Sequence, residues 1–348
     1  MQQRGHEQVI FNYDRASGLK AIIAIHDTTL GPALGGCRML PYANEEAALT
    51  DVLRLSEGMT YKSAAAGLDF GGGKTVILAD PATDKSEALF RALGRFIDTL
   101  HGRYRTGEDV GTSDQDFVQS LRETRYLVGL PVAYGGSGDT GDNTALGVIA
   151  AIRAGLFHRF GSDSLQGRRV AIQGLGKVGY HVARHAIEGG AEVVAADINP
   201  HVVGRVASEL GIEPTDPWTV LETTCDVFSP CALGNVINTD TVEHLDCQIV
   251  AGSANNQLEH DHLADRLLER NILYAPDFIA NAGGLIQVAD EIQGYNPDRV
   301  THQVESIYDV LSAIFKEADV RRQSTLVVAL DHVKKRLDDV HQIRRIRS

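Results

Sequence analysis

The sequence has few of the features that mark secreted, metal-binding or membrane proteins. Its 348 residues include only four cysteines, which form neither a CxxC pair nor a zinc-binding spacing. No apolar run approaches the roughly 18 residues of a membrane span, and the first residues lack the basic and apolar regions of a signal peptide. We therefore expect a cytoplasmic protein with reduced thiols and no metal site.

Positive charge is scarce as well. Lys and Arg number 33 against 46 Asp and Glu, which gives a net charge of −13. Phosphate backbones and anionic lipids repel such a protein, so we expect neither a nucleic-acid partner nor a membrane partner. Apolar residues, in contrast, make up 43% of the chain. That share and the length together predict about two globular domains.

The clearest motif lies in the second half of the chain. An apolar segment, Arg169–Gln173, runs directly into the glycine-rich segment Gly174–Gly179 (GLGKVG). A helical pattern at Tyr180–Glu188 follows, and then a second apolar segment, Glu192–Ala196, which ends at Asp197. A strand, a glycine turn, a helix and an acidic residue at the end of a second strand are typical of dinucleotide-binding units.

Each part of this motif has a physical role. Gly174 permits a tight turn, Gly176 lets the backbone approach a pyrophosphate, and Gly179 lets the helix pack closely on the strand. The helix N-terminus offers free N–H groups to the phosphates. Asp197 can accept hydrogen bonds from ribose hydroxyls and would repel a 2′-phosphate, which favours NAD over NADP. The motif alone also fits another nucleotide or S-adenosylmethionine.

The organisation of the chain predicts two α/β regions. The first begins with a hairpin of Gln8–Tyr13 and Leu19–His26 and continues into a glycine-rich loop, Gly31–Gly36. In the second, short apolar strands alternate with helices, which predicts a parallel, doubly wound sheet. The glycine-rich, polar stretch Tyr134–Asp139 predicts a hinge between the two regions.

Two lysines of the first region have unusual neighbours. Lys62 lies near the end of a predicted helix, whereas Lys74 follows Gly71–Gly73 and precedes a predicted strand, Thr75–Ala79. Glycines allow ligands and backbone to come close, so Lys74 is a candidate functional residue. Asp109 can pair with a lysine. Each residue also has an ordinary alternative, as a solvated surface lysine or a turn aspartate.

Taken together, the motifs resemble the glutamate/leucine/phenylalanine/valine dehydrogenase family of amino-acid dehydrogenases. The resemblance covers about residues 6–320, and Val327–Ser348 match poorly. Besides the Gly174–Gly179 turn, the matching segments are Gly31–Met39 (GPALGGCRM), Gly58–Lys62 (GMTYK), Gly71–Lys74 (GGGK), Gly107–Thr112 (GEDVGT), Pro230–Gly234 (PCALG), Gly252–Leu258 (GSANNQL) and Tyr274–Asp290 (YAPDFIANAGGLIQVAD).

The resemblance implies an α/β protein of two domains with a cleft between them. Residues 1–136 would form an α/β domain for substrate binding, catalysis and oligomerisation. Residues 137–322 would form a Rossmann-type, doubly wound domain that binds NAD. The C-terminal helices, at about 323–348, are expected to pack back on the first domain. A homo-oligomer is implied, with an amino acid, a 2-oxo acid and ammonia as its small-molecule partners.

The resemblance also implies roles for individual residues. Lys62 corresponds to the lysine that holds the substrate carboxylate, Lys74 to the catalytic lysine, and Asp109 to the acid that exchanges protons with the amine and water. A lysine base that works near neutral pH needs a lowered pKa, which burial and a neighbouring cation such as Lys62 would supply. The remaining implied cofactor contacts are Lys177, Val178, Ile198, Thr144, Cys231, Ala232, Ala254 and Asn256, the last also near the substrate.

The residues that correspond to the substrate pocket are apolar, namely Leu34, Gly35, Met59, Gly107, Leu285 and Val288. Gly107 and Leu285 are similar to the phenylalanine-type members, and a missing methyl group at position 107 is expected to leave room for a flat ring. The resemblance thus implies reversible, NAD-dependent deamination of L-phenylalanine to phenylpyruvate and ammonia. The alternatives are a leucine or valine enzyme, a different Rossmann oxidoreductase, and a non-catalytic nucleotide sensor.

Overall fold

The computed structural model of the chain describes residues 5–347, with side chains as far as Ile343. The chain folds into two compact units. The first takes the chain up to Asp139, the segment Gln287–Asn296 and the chain from Val333 onward, and the second comprises Thr140–Ile286 and Pro297–His332. The segment Gln287–Asn296, expected in the second domain, therefore groups with the first unit. The ends of the expected ranges, Met1–Arg4 and Ser348, lie outside the described residues.

A five-stranded mixed sheet organises the first unit, in the order β1-β2-β4-β3-β5. β1 and β2 form the predicted antiparallel hairpin, and β4 runs antiparallel to β2. β3 pairs in parallel with both β4 and β5. The strands are β1 (Gln8–Asp14), β2 (Leu19–Asp27), β3 (Ala33–Leu40), β4 (Gly71–Leu78) and β5 (Tyr104–Glu108).

Helices cover both faces of this sheet. On one face, Ile22 and Val76 pack against Val52 of α1 (Glu45–Ala65). On the other, residues such as Ile23 contribute to a core with Phe90 of α2 (Glu87–Asp98), and α3 (Asp114–Ser120) adds Phe117 to the same core. Each helix begins at a polar cap whose side chain accepts a hydrogen bond from a backbone N–H; the caps are Asn44, Ser86 and Ser113.

One predicted glycine loop lies partly in a strand and the other lies wholly in a strand, which corrects the prediction that they form or border loops. Gly31–Gly36 runs into β3, and Gly71–Gly73 opens β4. Glycine is depleted in strands because it has no side chain to pack, so the local sequence favours a loop. Here the missing side chain is what the packing requires. A methyl group on Gly72 would lie 2.2 Å from the backbone nitrogen of Thr60, so α1 sits directly on the backbone of β4.

The sheet of the second unit has six strands, all parallel, in the order β11-β10-β9-β6-β7-β8. The order reverses between β6 and β9, which is the switch point at which ligands bind in doubly wound sheets. The predicted α/β fold with a doubly wound second sheet is confirmed. The strands are β6 (Arg169–Gln173), β7 (Glu192–Ala196), β8 (Glu213–Pro214), β9 (Cys225–Pro230), β10 (Cys247–Val250) and β11 (Leu273–Tyr274).

Most of the remaining helices belong to the second unit. Two of them, Gly283–Asp290 and Thr325–Arg347, begin in the second unit and end in the first. Among the described residues, no helix is long and apolar enough to cross a membrane. The helices are α4 (Gly141–Phe160), α5 (Gly179–Glu188), α6 (Pro200–Leu210), α7 (Leu263–Glu269), α8 (Asp277–Ala280), α9 (Gly283–Asp290), α10 (Pro297–Glu305), α11 (Ile307–Arg321) and α12 (Thr325–Arg347).

Candidate active site

Lys74 and Asp109 meet in the first unit. Lys74 lies in β4, Asp109 directly follows β5, and the Lys74 Nζ atom is 2.8 Å from Asp109 Oδ2. Lys74 is only 6% exposed, whereas the side chain of Asp109 is 24% exposed, so the lysine end of the ion pair is the buried one. Gly36 of β3 makes this contact possible, because a methyl group there would lie 2.9 Å from Asp109 Cβ and 3.1 Å from Lys74 Nζ.

A tight turn after β5 fixes the position of Asp109. Its backbone N–H donates to the hydroxyl oxygen of Thr112 at 3.0 Å, and that hydroxyl donates to the carbonyl of Cys37 at 2.8 Å. Gly111 has a φ of +81°, and a methyl group there would lie 1.9 Å from the carbonyl oxygen of Met39. The turn therefore requires glycine, and it binds the segment of Asp109 to β3.

Arg38 supplies a second positive charge that the sequence motifs did not single out. Its Nε donates to Asp109 Oδ2 at 3.1 Å. Burial alone would raise the pKa of Asp109, but the charges of Lys74 and Arg38 outweigh that effect and lower the pKa to about 2. Asp109 is therefore a carboxylate at neutral pH. The register between β3 and β5 is the signal that would have revealed this contact. Cys37 pairs with Glu108, so the residues that follow them, Arg38 and Asp109, lie side by side.

Four of the residues predicted to bind the amino acid, Lys62, Met59, Leu34 and Gly35, lie on α1 and β3 of the same unit. Lys62 occupies the last turn of α1 and is half-buried. Met59, on the same helix, has its Cγ 3.3 Å from the position of a methyl group on Gly35. Leu34, which precedes Gly35 in β3, is fully buried. The first unit thus carries both a cationic candidate, on α1, and apolar candidates, on α1 and β3.

The expected reason for glycine at position 107 needs correction. A methyl group on Gly107 would not project into free space, because it would lie 2.4 Å from the carbonyl oxygen of Val128. Position 107 can therefore influence a pocket only by moving Val128 and its neighbours. Val288 belongs to the first unit and lies 3.9 Å from the position of a methyl group on Gly129, whereas Leu285 belongs to the second unit.

The glycine turn in the second unit has the predicted geometry. Gly174 has a φ of +97°, and a methyl group on Gly179 would lie 1.9 Å from the carbonyl oxygen of Gly174. These two glycines therefore serve the turn and the close packing of α5. A methyl group on Gly176 would meet nothing within 4 Å, which leaves the backbone open to a ligand. The turn fits a dinucleotide at the positive end of α5.

Asp197 follows β7, as predicted, and has a further role in shaping the turn. Its Oδ2 accepts a hydrogen bond from the backbone N–H of Leu175, and its Oδ1 accepts one from that of Asn199, both at 2.8 Å. Nothing in the motif predicted the bond to Leu175. A carboxylate has about four acceptor positions, so Asp197 retains capacity for ribose hydroxyls.

The other expected cofactor residues fall into two groups. Cys231 and Ala232 lie against the turn, since the backbone N–H of Cys231 donates to Gln173 at 2.7 Å and Ala232 Cβ is 2.8 Å from the position of a methyl group on Gly174. The rest lie on separate segments, with Lys177 and Val178 in the turn itself, Ile198 after Asp197, Thr144 in α4, and Ala254 and Asn256 after β10.

Family models match almost the whole chain. A Glu/Leu/Phe/Val dehydrogenase dimerisation domain matches residues 6–126, and a Glutamate/Leucine/Phenylalanine/Valine dehydrogenase model matches residues 135–214 and 200–333. The chain belongs to the glutamate/leucine/phenylalanine/valine dehydrogenase family. The resemblance that the motifs predicted is confirmed, and the protein is an amino-acid dehydrogenase.

Relatives with different substrates are about equally similar to this dehydrogenase. A leucine dehydrogenase of Geobacillus stearothermophilus is 49% identical over 344 residues, which covers 99% of this chain and 94% of the relative. A phenylalanine dehydrogenase of Caldalkalibacillus thermarum is 50% identical over 337 residues, which covers 95% and 91%. The crystal structure of L-tryptophan dehydrogenase from Nostoc punctiforme is 43% identical, with a TM-score of 0.86 over 97% of this chain and 98% of that one.

Proposed function

We propose that this amino-acid dehydrogenase catalyses the reversible, NAD-dependent oxidative deamination of an apolar L-amino acid, with L-phenylalanine preferred. The amino acid, NAD⁺ and water would give a 2-oxo acid, ammonium, NADH and a proton. The observation that carries the proposal is the contact between the buried Lys74 and Asp109. A buried lysine held against a carboxylate is suited to proton transfer and to the stabilisation of cationic intermediates.

In this proposal the residues of the first unit hold and convert the amino acid. Lys62 binds the substrate carboxylate through its positive charge. Lys74, once deprotonated, is the base for the water that adds to the iminium carbon. Asp109, which is ionised at neutral pH, stabilises the cationic ammonium and iminium forms. The bond that breaks at the end joins the substrate carbon to nitrogen, and ammonia leaves.

When bound, NAD would supply the acceptor for the hydride of the substrate Cα atom. The Gly174–Gly179 turn would hold the pyrophosphate, because its backbone is open at Gly176 and lies at the start of α5. Asp197 supports NAD rather than NADP, since its carboxylate would repel a 2′-phosphate. Ile198, Cys231 and Ala232 follow strand ends on the two sides of the turn and would line the cofactor.

The choice of substrate rests on the apolar residues around the ion pair. Leu34, Gly35 and Met59 present no charge that would bind a glutamate or lysine side chain. Gly107 and Leu285 resemble the phenylalanine-type members of the family, and this resemblance favours an aromatic side chain, with position 107 acting through Val128. A leucine or valine substrate is the second candidate, because a leucine dehydrogenase is as similar to this chain as a phenylalanine dehydrogenase.

We also propose that the chain forms a homo-oligomer. The family model that matches residues 6–126 is described as a dimerisation domain. In addition, β1 lies at the edge of its sheet and carries exposed aromatic side chains, Phe11 and Tyr13. The cytoplasmic location stays a prediction that cell fractionation would test.

A substrate panel tests the proposed function. Phe, Tyr, Trp, Leu and Val are each offered with NAD and with NADP, and NADH or NADPH formation gives kcat/KM. We expect the highest value for Phe with NAD. A highest value for Leu or Val supports the second candidate, and no oxidation of any of these amino acids would refute the proposal.

Two lysine variants extend the panel. Lys74→Ala should lower kcat by roughly 10²–10⁴-fold, the usual contribution of a general acid or base, with unchanged NAD binding. Lys20→Ala removes an exposed lysine from β2 of the same sheet and should have the wild-type rate. Wild-type turnover in Lys74→Ala would contradict the role assigned to Lys74.

A further inference from the structure

Arg38 joins two acidic side chains on the face of the sheet that α1 covers. Its Nε donates to Asp109 Oδ2, and its Nη1 donates to Asp51 Oδ2, each at 3.1 Å. Tyr42 donates its hydroxyl to the same oxygen of Asp51 at 2.7 Å, and Arg54 contacts the other oxygen at 3.3 Å. The side chains of Arg38 and Asp51 are only 19% and 16% exposed. A connected set of charges thus runs from α1 to Asp109.

Arg38 and Lys74 contact the same oxygen of Asp109. Lys74 Nζ lies 2.8 Å from Oδ2 and Arg38 Nε 3.1 Å from it. The two cations differ in chemistry, because a lysine can lose its proton whereas a guanidinium stays charged in proteins. When Lys74 gives up its proton to act as a base, Asp109 loses one of these two positive neighbours. Arg38 remains.

Besides these two cations, a backbone hydrogen bond from Val110 also lowers the pKa of Asp109. Cys37 and Tyr104 lie nearby, and burial raises the pKa of each, so both are neutral at physiological pH. Burial and the hydrogen bond to Asp51 likewise raise the pKa of Tyr42. The charged groups that contact one another in this cluster include Lys74 from β4, Arg38 from β3, and Asp51 and Arg54 from α1.

We propose that Arg38 is a positioning residue that holds the Asp109 carboxylate in place and keeps it ionised while Lys74 is neutral. The catalytic part of this inference rests on the proposed deamination, whereas the effect of Arg38 on Asp109 does not. Asp51 has the supporting role. By accepting a hydrogen bond from the guanidinium, it fixes the direction in which Arg38 donates to Asp109.

The test compares Arg38→Gln with Arg38→Lys and with the control Arg54→Gln. Arg54 contacts Asp51 and is half exposed, so the control removes an arginine from the same cluster without touching Asp109. The first measurement is a carbon NMR titration of the aspartate carboxyl groups, with the Asp109 signal assigned through Asp109→Asn. In Arg38→Gln the pKa of Asp109 should rise above its wild-type value of about 2.

The second measurement is the pH profile of kcat on the best substrate of the panel, together with NAD affinity. Arg38→Gln should lower kcat roughly 10–100-fold, the scale expected when one hydrogen bond to a charged group is lost, and NAD affinity should not change. Arg38→Lys, which keeps the charge, should recover part of the rate. Arg54→Gln should match wild type in both measurements.

Folding of the variants is checked by thermal unfolding. If Arg38→Gln does not fold, Asp51→Asn gives the same test, since it retains Arg38 and loosens its orientation, and a smaller loss of kcat is expected. An unchanged Asp109 titration in Arg38→Gln, or an equal loss of kcat in Arg54→Gln, would overturn the inference. A shifted Asp109 titration in a protein that oxidises no amino acid would support the role of Arg38 and refute the proposed function.

Discussion

The ion pair of Lys74 and Asp109 limits the chemistry that the first unit can perform. A buried ammonium group without a partner is costly, and Asp109 removes that cost through a contact of 2.8 Å. In the proposed reaction, the same carboxylate would supply the negative charge that a substrate ammonium or iminium needs. Because two cations hold Asp109 in its ionised form, it suits electrostatic stabilisation better than proton donation at neutral pH.

Position 107 offers a test of how the side-chain pocket is shaped. A methyl group on Gly107 would lie 2.4 Å from the carbonyl oxygen of Val128, a residue only 3% exposed, so the backbone around Val128 must move. For Gly107→Ala we expect a loss of roughly 1–3 kcal/mol in stability, the usual cost of overpacking. The ratio of kcat/KM for phenylalanine and leucine should shift toward leucine as the displaced segment narrows the pocket.

Thermal unfolding and the two kcat/KM values check this prediction. Gly204→Ala is the control, because Gly204 lies in α6 of the second unit and a methyl group there would meet nothing within 4 Å. It should leave the substrate ratio unchanged and should not destabilise the protein. Wild-type stability and substrate ratio in Gly107→Ala would contradict the assigned contact with Val128.

The residues of the ion pair could be predicted from the sequence, whereas their surroundings could not. Lys74 and Asp109 lie in glycine-flanked segments that resemble family motifs, so the local pattern was sufficient. Arg38 lies in the same kind of segment, but its partner depends on the register between β3 and β5. Register is a property of two distant segments, and no local spacing specifies it.

At the level of elements, the strands of the two units differ in how well the sequence predicted them. β6 and β7 are apolar segments bounded by turns, and their bounds match the prediction. β4 begins with three glycines and β3 contains Gly35 and Gly36, residues that are typical of loops. In β4, α1 packs against the strand backbone at a distance that leaves no room for a side chain at Gly72. Tertiary packing therefore overrides the local preference there.

A contact between α12 and the end of α1 leads to a prediction about the stability of that helix end. Arg336 of α12 donates to the carbonyl oxygens of Ala64 at 2.6 Å and Leu68 at 3.0 Å. The last carbonyls of a helix lack partners within the helix, and a cation there is favourable. The last turn of α1 also carries Lys62. Arg336→Ala should therefore lower stability by roughly 1–3 kcal/mol, as for the loss of a charged hydrogen-bond donor.

Substrate kinetics separate this effect from a general loss of stability. We expect the KM for the amino acid to rise in Arg336→Ala below its melting temperature, while NAD affinity stays unchanged, because the last turn of α1 holds the residue assigned to the substrate carboxylate. Lys335→Ala removes the exposed neighbouring cation and should behave as wild type. A parallel loss of NAD affinity would show that the end of α1 is not the site of the effect.

At the level of the whole molecule, the family match and the two sheets agree with the fold implied by the motifs. The division of the chain is more complex than a single boundary. Gln287–Asn296 groups with the first unit although it follows the dinucleotide-binding segments in the sequence. Its Glu291 accepts a hydrogen bond from the backbone N–H of Gly129 at 2.8 Å. A domain boundary predicted from composition cannot show that a later segment rejoins the first unit. That grouping depends on contacts between residues far apart in the chain.

Association of this chain with a second copy can be tested at β1 of the first unit. β1 lies at the edge of its sheet, where backbone N–H and C=O groups are available to another strand. Phe11 and Tyr13 on this strand are 51% and 63% exposed. Exposed aromatic side chains on an edge strand favour association with a second copy of the chain, and the matching family model is described as a dimerisation domain.

A double variant, Phe11→Lys with Tyr13→Lys, should therefore shift the protein to a smaller species in size-exclusion chromatography with light scattering. Charged side chains on an edge strand oppose pairing with another strand, so the shift should be largest at low protein concentration. Trp218→Lys is the control, because it replaces an exposed aromatic residue of the second unit. If the double variant folds, as circular dichroism would show, and has the mass of the wild type, then β1 does not form the interface.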